Sequence, residues 1–129
     1  MKFLHTCVRV KDLEASLTFY QEAFDFQEVR RLDFPAQGFT IAYLALKGHD
    51  DYELELTYNY NHDAYDIGDG YGHIAIGVDD LDACHRKHQE AGYTMTTISG
   101  LPNGPKMYYF ITDPDGYKVE VIDSQKFFN

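Results

Sequence analysis

The N-terminal half of the chain begins with a strand-like pattern and continues with a helix-like one. Residues 3–10 alternate between polar and apolar positions, as in a strand with one buried face. Asp12 is well placed to cap a helix over residues 13–24, where apolar side chains recur at helical spacing. The pattern therefore predicts the order βαβββ, with the three later strands at residues 27–32, 40–46 and 53–58.

The C-terminal half repeats this order after a polar, turn-rich connector at residues 59–70. A strand is predicted at residues 73–78, and Asp80 can cap a helix that continues to about Ala91. Gly92 is suited to the end of that helix. The remaining strands are predicted near residues 93–98, 107–111 and 118–122, with a turn at 113–116 before the last of them.

Two βαβββ modules predict an α+β fold. We expect modules at about residues 1–60 and 70–125 to form one domain over residues 1–129, with a curved mixed sheet and a concave cleft. Strand alternation directs Glu55 away from the apolar residues on either side of it, and it directs Glu120 in the same way. Such carboxylates favour a sheet whose second face lines a polar site, although an ordinary solvent-exposed face would alternate similarly.

The two halves also share a short sequence repeat. Aligning His5 with His73 also aligns a valine, an aspartate and a leucine that follow each histidine. A second match, of YELEL with YKVEV, aligns Glu55 with Glu120. A pseudo-two-fold relation between the halves would let two imidazoles and two carboxylates converge on one point, as a metal ion requires. The repeat therefore predicts a metal-binding cleft, because a purely structural role would need two buried ion pairs that are costly to desolvate.

Composition limits the partners of the chain. The net charge of −10 and the pI near 4.8 argue against a nucleic-acid partner, which would require a basic face. Cys7 and Cys84 do not form a metal-binding or redox motif, which favours reduced thiols in a cytosolic protein. No apolar run approaches membrane-spanning length, and the N-terminus lacks the core of a signal peptide. We therefore expect a cytoplasmic protein without nucleic-acid or membrane partners.

Two further histidines, His85 and His88, are three positions apart on the predicted second helix. That spacing superficially suggests another pair of metal ligands. The repeat, however, aligns them with Leu17 and Tyr20 on the packed face of the first helix. We therefore interpret both histidines as partly buried structural residues.

Five short motifs are distributed over nearly the whole chain. They are LHT with the following RV at 4–10, FY at 19–20, ELTYN at 55–59, YGHIA at 71–75, and DPDGY at 113–117 with Glu120. In order and spacing they resemble the motifs of the glyoxalase I (lactoylglutathione lyase) family, in its short bacterial form. That family belongs to the vicinal oxygen chelate superfamily.

The resemblance implies a set of metal ligands, namely His5, Glu55, His73 and Glu120. In the family, each site takes its first two ligands from one subunit and its last two from the other, which implies a homodimer. Four protein ligands would already satisfy the tetrahedral preference of Zn²⁺, so that no position is left for the substrate. A six-coordinate ion keeps two positions open, which favours Ni²⁺ or Co²⁺, with Zn²⁺ as a further candidate.

The resemblance also implies a thiol cosubstrate. Arg9 and Asn59 match family positions that bind the carboxylate ends of glutathione. The chain differs from the family at Asp69, where a basic residue is common, and Lys106 is the only candidate for another basic group of the family. These differences leave room for a low-molecular-weight thiol other than glutathione.

The implied reaction is the detoxification of methylglyoxal. The family converts the hemithioacetal of methylglyoxal and a thiol into an S-D-lactoyl thioester, by moving a proton from C1 to C2 through an enediolate. The metal stabilises the charge that develops on the two adjacent oxygens. Glu120 resembles the catalytic base of the family, and Glu55 or His5 would serve the opposite face of the substrate.

Other members of the superfamily are the main alternatives. Dioxygenases and thiol transferases typically use two histidines and one glutamate, without a counterpart of Glu55. Epimerases usually place a neutral amide at one of the positions, and a non-catalytic drug-binding relative would not need converging ligands. The intact set of four ligands therefore favours the lyase.

Overall fold

A computed structural model describes residues 1–128, with side chains through residue 127. The chain divides into two compact units, one over residues 1–66 and the other beginning at Ile67. The division lies inside the connector predicted at residues 59–70. In the described part of the chain, none of the helices is long and apolar enough to cross a membrane.

The first unit is a four-stranded mixed sheet with one helix. The elements are β1 His5–Arg9, α1 Leu13–Ala23, β2 Phe26–Phe34, β3 Phe39–Leu46 and β4 His49–Asn59. The strands have the order β1-β4-β3-β2; β1 is parallel to β4, and the other neighbours are antiparallel. The side chain of Asp12 accepts a hydrogen bond from the Ala15 N–H and so caps the helix, as predicted.

The second unit repeats this topology. The elements are β5 Ile74–Val78, α2 Leu81–Glu90, β6 Ser99–Gly100, β7 Lys106–Thr112, β8 Lys118–Asp123 and α3 Ser124–Phe128. The strands have the order β5-β8-β7-β6, again with one parallel pair, β5 with β8. Asp80 caps the second helix by accepting a hydrogen bond from the Ala83 N–H. The predicted α+β class, with two βαβββ modules, is confirmed.

The strand predicted near residues 93–98 is wrong. In that range only Met95 forms an isolated bridge, with Ile111, and the strand that does form has two residues, Ser99–Gly100. The reason is that the Thr96 hydroxyl accepts the Phe110 N–H, while the Thr96 carbonyl lies 3.3 Å from His85 Nε2. A regular ladder needs that carbonyl as its acceptor, so pairing stops there. The short terminal helix α3 was also not predicted.

The turn before β8 has the predicted form. The buried Asp113 carboxylate accepts hydrogen bonds from the backbone N–H groups of Asp115 and Tyr117, both at 2.9 Å. Gly116 closes the turn with a φ of 95°, a conformation that glycine adopts without strain. The turn thereby sets the start of the strand that carries Glu120.

The apolar core of each unit lies between its sheet and its helix. Helix α1 packs against β4 and helix α2 against β8. The apolar residues on either side of the two glutamates are all buried, with exposures of 0–4%: Leu54, Leu56, Val119 and Val121. The intervening glutamates therefore lie on the opposite face of each sheet.

Candidate metal centre

In the first unit, His5 and Glu55 face each other across the parallel pair β1 and β4. The register places Cys7 opposite Glu55, so His5 lies two residues earlier on the same face. His5 Nε2 is 3.9 Å from Glu55 Oε2. Glu55 is only 8% exposed although it carries a carboxylate, which marks a polar position held within the fold.

Tyr43 binds the same carboxylate from the other side. It lies opposite Glu55 in the antiparallel pair of β3 and β4, and its hydroxyl donates a hydrogen bond of 3.0 Å to Glu55 Oε1. The guanidinium of Arg30 lies over the Tyr43 ring, 4.0 Å from the ring centroid. Arg30 in turn donates two hydrogen bonds to Glu53, at 2.9 and 2.8 Å. These contacts orient the tyrosine toward Glu55.

The groups next to Glu55 keep their protons at neutral pH. Burial raises the pKa of the Tyr43 hydroxyl, and its hydrogen bond to Glu55 raises it further. Burial also raises the pKa of the Cys7 thiol, and the adjacent Glu55 carboxylate adds to that rise. Both groups therefore face Glu55 as potential hydrogen-bond donors.

The second unit contains the corresponding pair, His73 and Glu120. Ala75 lies opposite Glu120 in the parallel pair of β5 and β8, and His73 again lies two residues earlier. His73 Nε2 is 3.1 Å from Glu120 Oε1, and the imidazole contacts the edge of the Phe110 ring with a centroid distance of 5.0 Å. The placement of one imidazole and one carboxylate on the same sheet face thus repeats in both units.

Each pair presents the donor types that a divalent ion accepts. An imidazole nitrogen and a carboxylate oxygen lie side by side in each unit, and such mixed N/O donors suit Ni²⁺, Co²⁺ or Zn²⁺. The structure brings His5 together with Glu55, and His73 together with Glu120. Within residues 1–128, no group of three or more His, Cys, Asp or Glu side chains is placed to hold a metal ion. The set of four ligands therefore stays a prediction.

The two residues predicted to bind the cosubstrate lie at the ends of β1 and β4. Arg9 is exposed and pairs with Thr57, on the face that carries His5 and Cys7. Asn59 lies two residues beyond Thr57, and its amide donates a hydrogen bond of 3.0 Å to the Tyr65 hydroxyl. Both side chains thus belong to the sheet face that carries the first His–Glu pair.

Tyr43 is not among the site residues that the sequence predicts. The alternation of β3 gives no indication of which tyrosine meets a carboxylate. A signal existed in the repeat, because the strand before each glutamate carries an aromatic residue, Tyr43 in the first unit and Phe110 in the second.

Comparisons with known proteins agree with the fold and with the pattern of residues. Residues 2–121 match the Glyoxalase/Bleomycin resistance protein/Dioxygenase superfamily. A lactoylglutathione lyase of Neisseria meningitidis is 40% identical over 127 residues, which cover 97% of this chain and 92% of the relative. A probable lactoylglutathione lyase of Synechocystis is 37% identical over 126 residues, which cover 96% of both.

A solved structure gives the same result. The trypanothione-dependent glyoxalase I of Leishmania major matches with a TM-score of 0.87 at 30% identity, over 99% of this chain and 90% of that one. Identity at this level, over nearly the whole length, shows the family as well as the fold. The chain therefore belongs to the Glyoxalase/Bleomycin resistance protein/Dioxygenase superfamily and, within it, to the family of the lactoylglutathione lyases.

Proposed function

We propose that this chain is a lactoylglutathione lyase that converts the hemithioacetal of methylglyoxal and glutathione into S-D-lactoylglutathione. The observation that carries this proposal is the His–Glu pair on one sheet face of each unit, at equivalent positions. Support also comes from relatives that bear this name and match over nearly the whole chain.

The proposed metal ligands are His5, Glu55, His73 and Glu120. They would hold a divalent ion in a homodimer, with the first pair from one subunit and the second pair from its partner. Two imidazoles and two carboxylates favour Ni²⁺ or Co²⁺ over Zn²⁺, because a six-coordinate ion leaves room for two substrate oxygens. When bound, the ion supplies Lewis-acid stabilisation of the negative charge that develops on those oxygens.

Glu120 is the proposed general base. One of its carboxylate oxygens accepts the C1 proton of the hemithioacetal and later returns it to C2. The proton of the C1 hydroxyl passes to the oxygen on C2, so the reaction has no net proton change. The side chain is 18% exposed, which limits competition from water for the transferred proton. Glu55 is the second catalytic candidate, and we assign it, with His5, to the opposite face of the substrate.

Arg9 and Asn59 are the proposed anchors for the thiol. A guanidinium binds a carboxylate through two parallel hydrogen bonds, and the Asn59 amide supplies a neutral donor on the same sheet face. Glutathione is the thiol named in the bacterial relatives, whereas the Leishmania major enzyme is trypanothione-dependent. Cys7 and Cys84 are free cysteines, which supports a reducing, cytoplasmic setting where such thiols stay reduced.

Reconstitution with single metals tests this function. The protein is stripped of metal and loaded separately with Ni²⁺, Co²⁺ or Zn²⁺, and thioester formation from methylglyoxal is followed with glutathione and with trypanothione. We expect activity with Ni²⁺ or Co²⁺ and glutathione. Activity that is highest with Zn²⁺ would contradict the metal assignment but keep the lyase. No thioester from either thiol, in protein shown to carry metal, would contradict the proposed function.

A further inference from the structure

The two candidate glutamates have different neighbours on their adjacent strands. Glu55 lies between Cys7 on β1 and Tyr43 on β3. At the equivalent positions in the second unit, Glu120 lies between Ala75 on β5 and Phe110 on β7. Cysteine and tyrosine side chains can donate a hydrogen bond to a carboxylate, whereas alanine and phenylalanine side chains cannot. The repeat therefore preserves the glutamates but not the donors beside them.

The aromatic ring itself is common to both units. Tyr43 meets the His5 ring edge-on, with centroids 5.8 Å apart and planes at 73°. Phe110 meets the His73 ring in the same way, at 5.0 Å and 83°. Packing against the imidazole is therefore a shared property of the two rings, and the hydroxyl of Tyr43 is the chemical difference between them.

Further contacts hold the Tyr43 hydroxyl in place. Arg30 stacks over the tyrosine ring at 4.0 Å, and both of its terminal nitrogens bind the two carboxylate oxygens of Glu53. Glu53 and Glu55 lie on the same face of β4, so the contacts run from one glutamate through Arg30 and Tyr43 to the other. A donor that is held on two sides restricts the rotation of the carboxylate that accepts from it.

The positions of the two carboxylates agree with this difference. Glu55 directs Oε1 to the Tyr43 hydroxyl, and its other oxygen lies 3.9 Å from His5 Nε2. Glu120 lies closer to its histidine, with Oε1 3.1 Å from His73 Nε2. Glu55 is thus shared between a tyrosine and a histidine, whereas Glu120 pairs with a histidine beside a phenylalanine that offers no hydrogen bond.

We infer that Tyr43 is a positioning residue that holds Glu55 stationary, so that Glu120 is the carboxylate able to turn toward the substrate and carry the proton. This inference rests on the proposed function, and it deepens it by giving a structural reason for the division of roles between two equivalent glutamates. A hydroxyl on the ring at position 110 would remove the difference between the two rings.

Exchange of the hydroxyl between the two units tests the inference. Tyr43→Phe removes the donor to Glu55, Phe110→Tyr introduces one beside Glu120, and Tyr52→Phe is the control for loss of an exposed strand hydroxyl. The readouts are the Kd for Ni²⁺ by calorimetry, and kcat and KM of the loaded enzyme. Thermal melting of each variant checks that the fold is retained.

Tyr43→Phe should mainly affect metal binding, whereas Phe110→Tyr should mainly affect turnover. Tyr43→Phe should raise the Kd for Ni²⁺ by about tenfold to a hundredfold, the usual effect of losing a group that orients a metal ligand. Phe110→Tyr should lower kcat by about tenfold or more, with a smaller change in KM, because the added hydroxyl restrains Glu120. A wild-type Kd in Tyr43→Phe would overturn the inference, and so would a wild-type kcat in Phe110→Tyr.

The metal measurement separates this inference from the proposed function. If the wild-type protein binds Ni²⁺ but forms no thioester, the proposed reaction is wrong. The Kd of Tyr43→Phe, measured against that of Tyr52→Phe, then decides by itself whether Tyr43 positions Glu55. Equal Kd values for these two variants would contradict the role of Tyr43 even in an active enzyme.

Discussion

Glu55 and Glu120 are the same residue type at equivalent positions, and at the residue scale they differ in the hydrogen-bond donors on the neighbouring strands. Glu55 is 8% exposed and accepts a hydrogen bond from Tyr43, while Glu120 contacts His73 beside Phe110. Hydrogen bonding and burial change the proton affinity of a carboxylate, so two glutamates in different surroundings can have different roles. We therefore expect single substitutions to reveal the different catalytic roles of the two glutamates.

Replacing Glu120 by glutamine should abolish turnover and spare the fold. The amide keeps the size of the side chain but cannot accept the C1 proton, and loss of a general base typically lowers kcat by about 10²–10⁴-fold. Steady-state kinetics and the melting temperature are the measurements. Glu90→Gln, at the exposed end of α2, is the matched control. Full activity in Glu120→Gln would remove this residue from the role of base.

Replacing Arg9 by alanine should weaken binding of the thiol adduct. A charge-assisted hydrogen bond contributes about 1.5–3 kcal/mol, so KM should rise by about tenfold or more. The Kd for metal should change much less, since Arg9 lies at the far end of β1 from His5. Arg86→Ala, on the exposed side of α2, controls for loss of a positive charge. Equal losses of thiol and metal affinity would indicate a structural role.

At the scale of the elements, contacts between polar side chains join helix α2 to its sheet. Helix α2 carries His88, which is fully buried rather than partly buried as predicted, and its Nδ1 lies 2.8 Å from the Tyr109 hydroxyl on β7. The Cys84 sulfur lies 3.9 Å from the same imidazole. These contacts join α2 to the sheet and support the interpretation of His88 as a structural residue.

Replacing Tyr109 by phenylalanine should destabilise the second unit without removing a metal ligand. The substitution removes the hydrogen bond between the Tyr109 hydroxyl and His88 Nδ1 inside the core, and the loss of such a bond costs about 0.5–1.5 kcal/mol. The free energy of unfolding in urea is the measurement. The neighbouring Tyr108→Phe is the control, since the Tyr108 hydroxyl makes no hydrogen bond with any described residue and its loss should have little effect.

Alkaline pH provides a second readout for the same variant. Burial raises the pKa of Tyr109 above its ordinary value of 10, with a further contribution from Cys84. The protonated phenol is therefore favoured in the folded state, and its contribution to stability is complete below pH 10. Unfolded chains release this proton first, so stability should fall as the pH rises above 10. Tyr109→Phe should show a shallower decline, and an unchanged slope would contradict the assignment.

At the scale of the whole molecule, the chain consists of two units of one topology, and it belongs to the family of the lactoylglutathione lyases. The family resemblance that the motifs carry and the α+β fold class predicted from the hydrophobic pattern are confirmed. Each unit supplies one imidazole and one carboxylate, which is half of the proposed ligand set. The homodimer, in which subunits exchange these halves, is a prediction that activity can test.

Shared sites predict complementation between two inactive variants. Glu55→Gln and Glu120→Gln should each be inactive as homodimers. In a mixed dimer, one site would collect both substitutions and the other would have all four natural ligands, so about half of the wild-type activity should return. Differently tagged subunits allow the mixed dimer to be purified and assayed. A pure mixed dimer without activity would instead place each site within one chain.

The sequence by itself determined the element order, the caps at Asp12 and Asp80, and the direction of both His–Glu pairs. These features are local. Capping depends on a few consecutive residues, and the alternation along a strand determines the sheet face on which each side chain lies. The repeat allowed the same predictions to be made for the second half of the chain. The family motifs predicted the function.

Only the tertiary structure decided which residues from distant segments meet. The hydrogen bond from Tyr43 to Glu55 depends on the register of β3 with β4. The strand pairing ends at Thr96 because the hydroxyl of that residue, rather than its carbonyl, accepts the Phe110 N–H. Alternation has a period of two and carries no information about the register between strands. The partner of each candidate carboxylate, and with it the division of labour between Glu55 and Glu120, therefore became visible only in the folded chain.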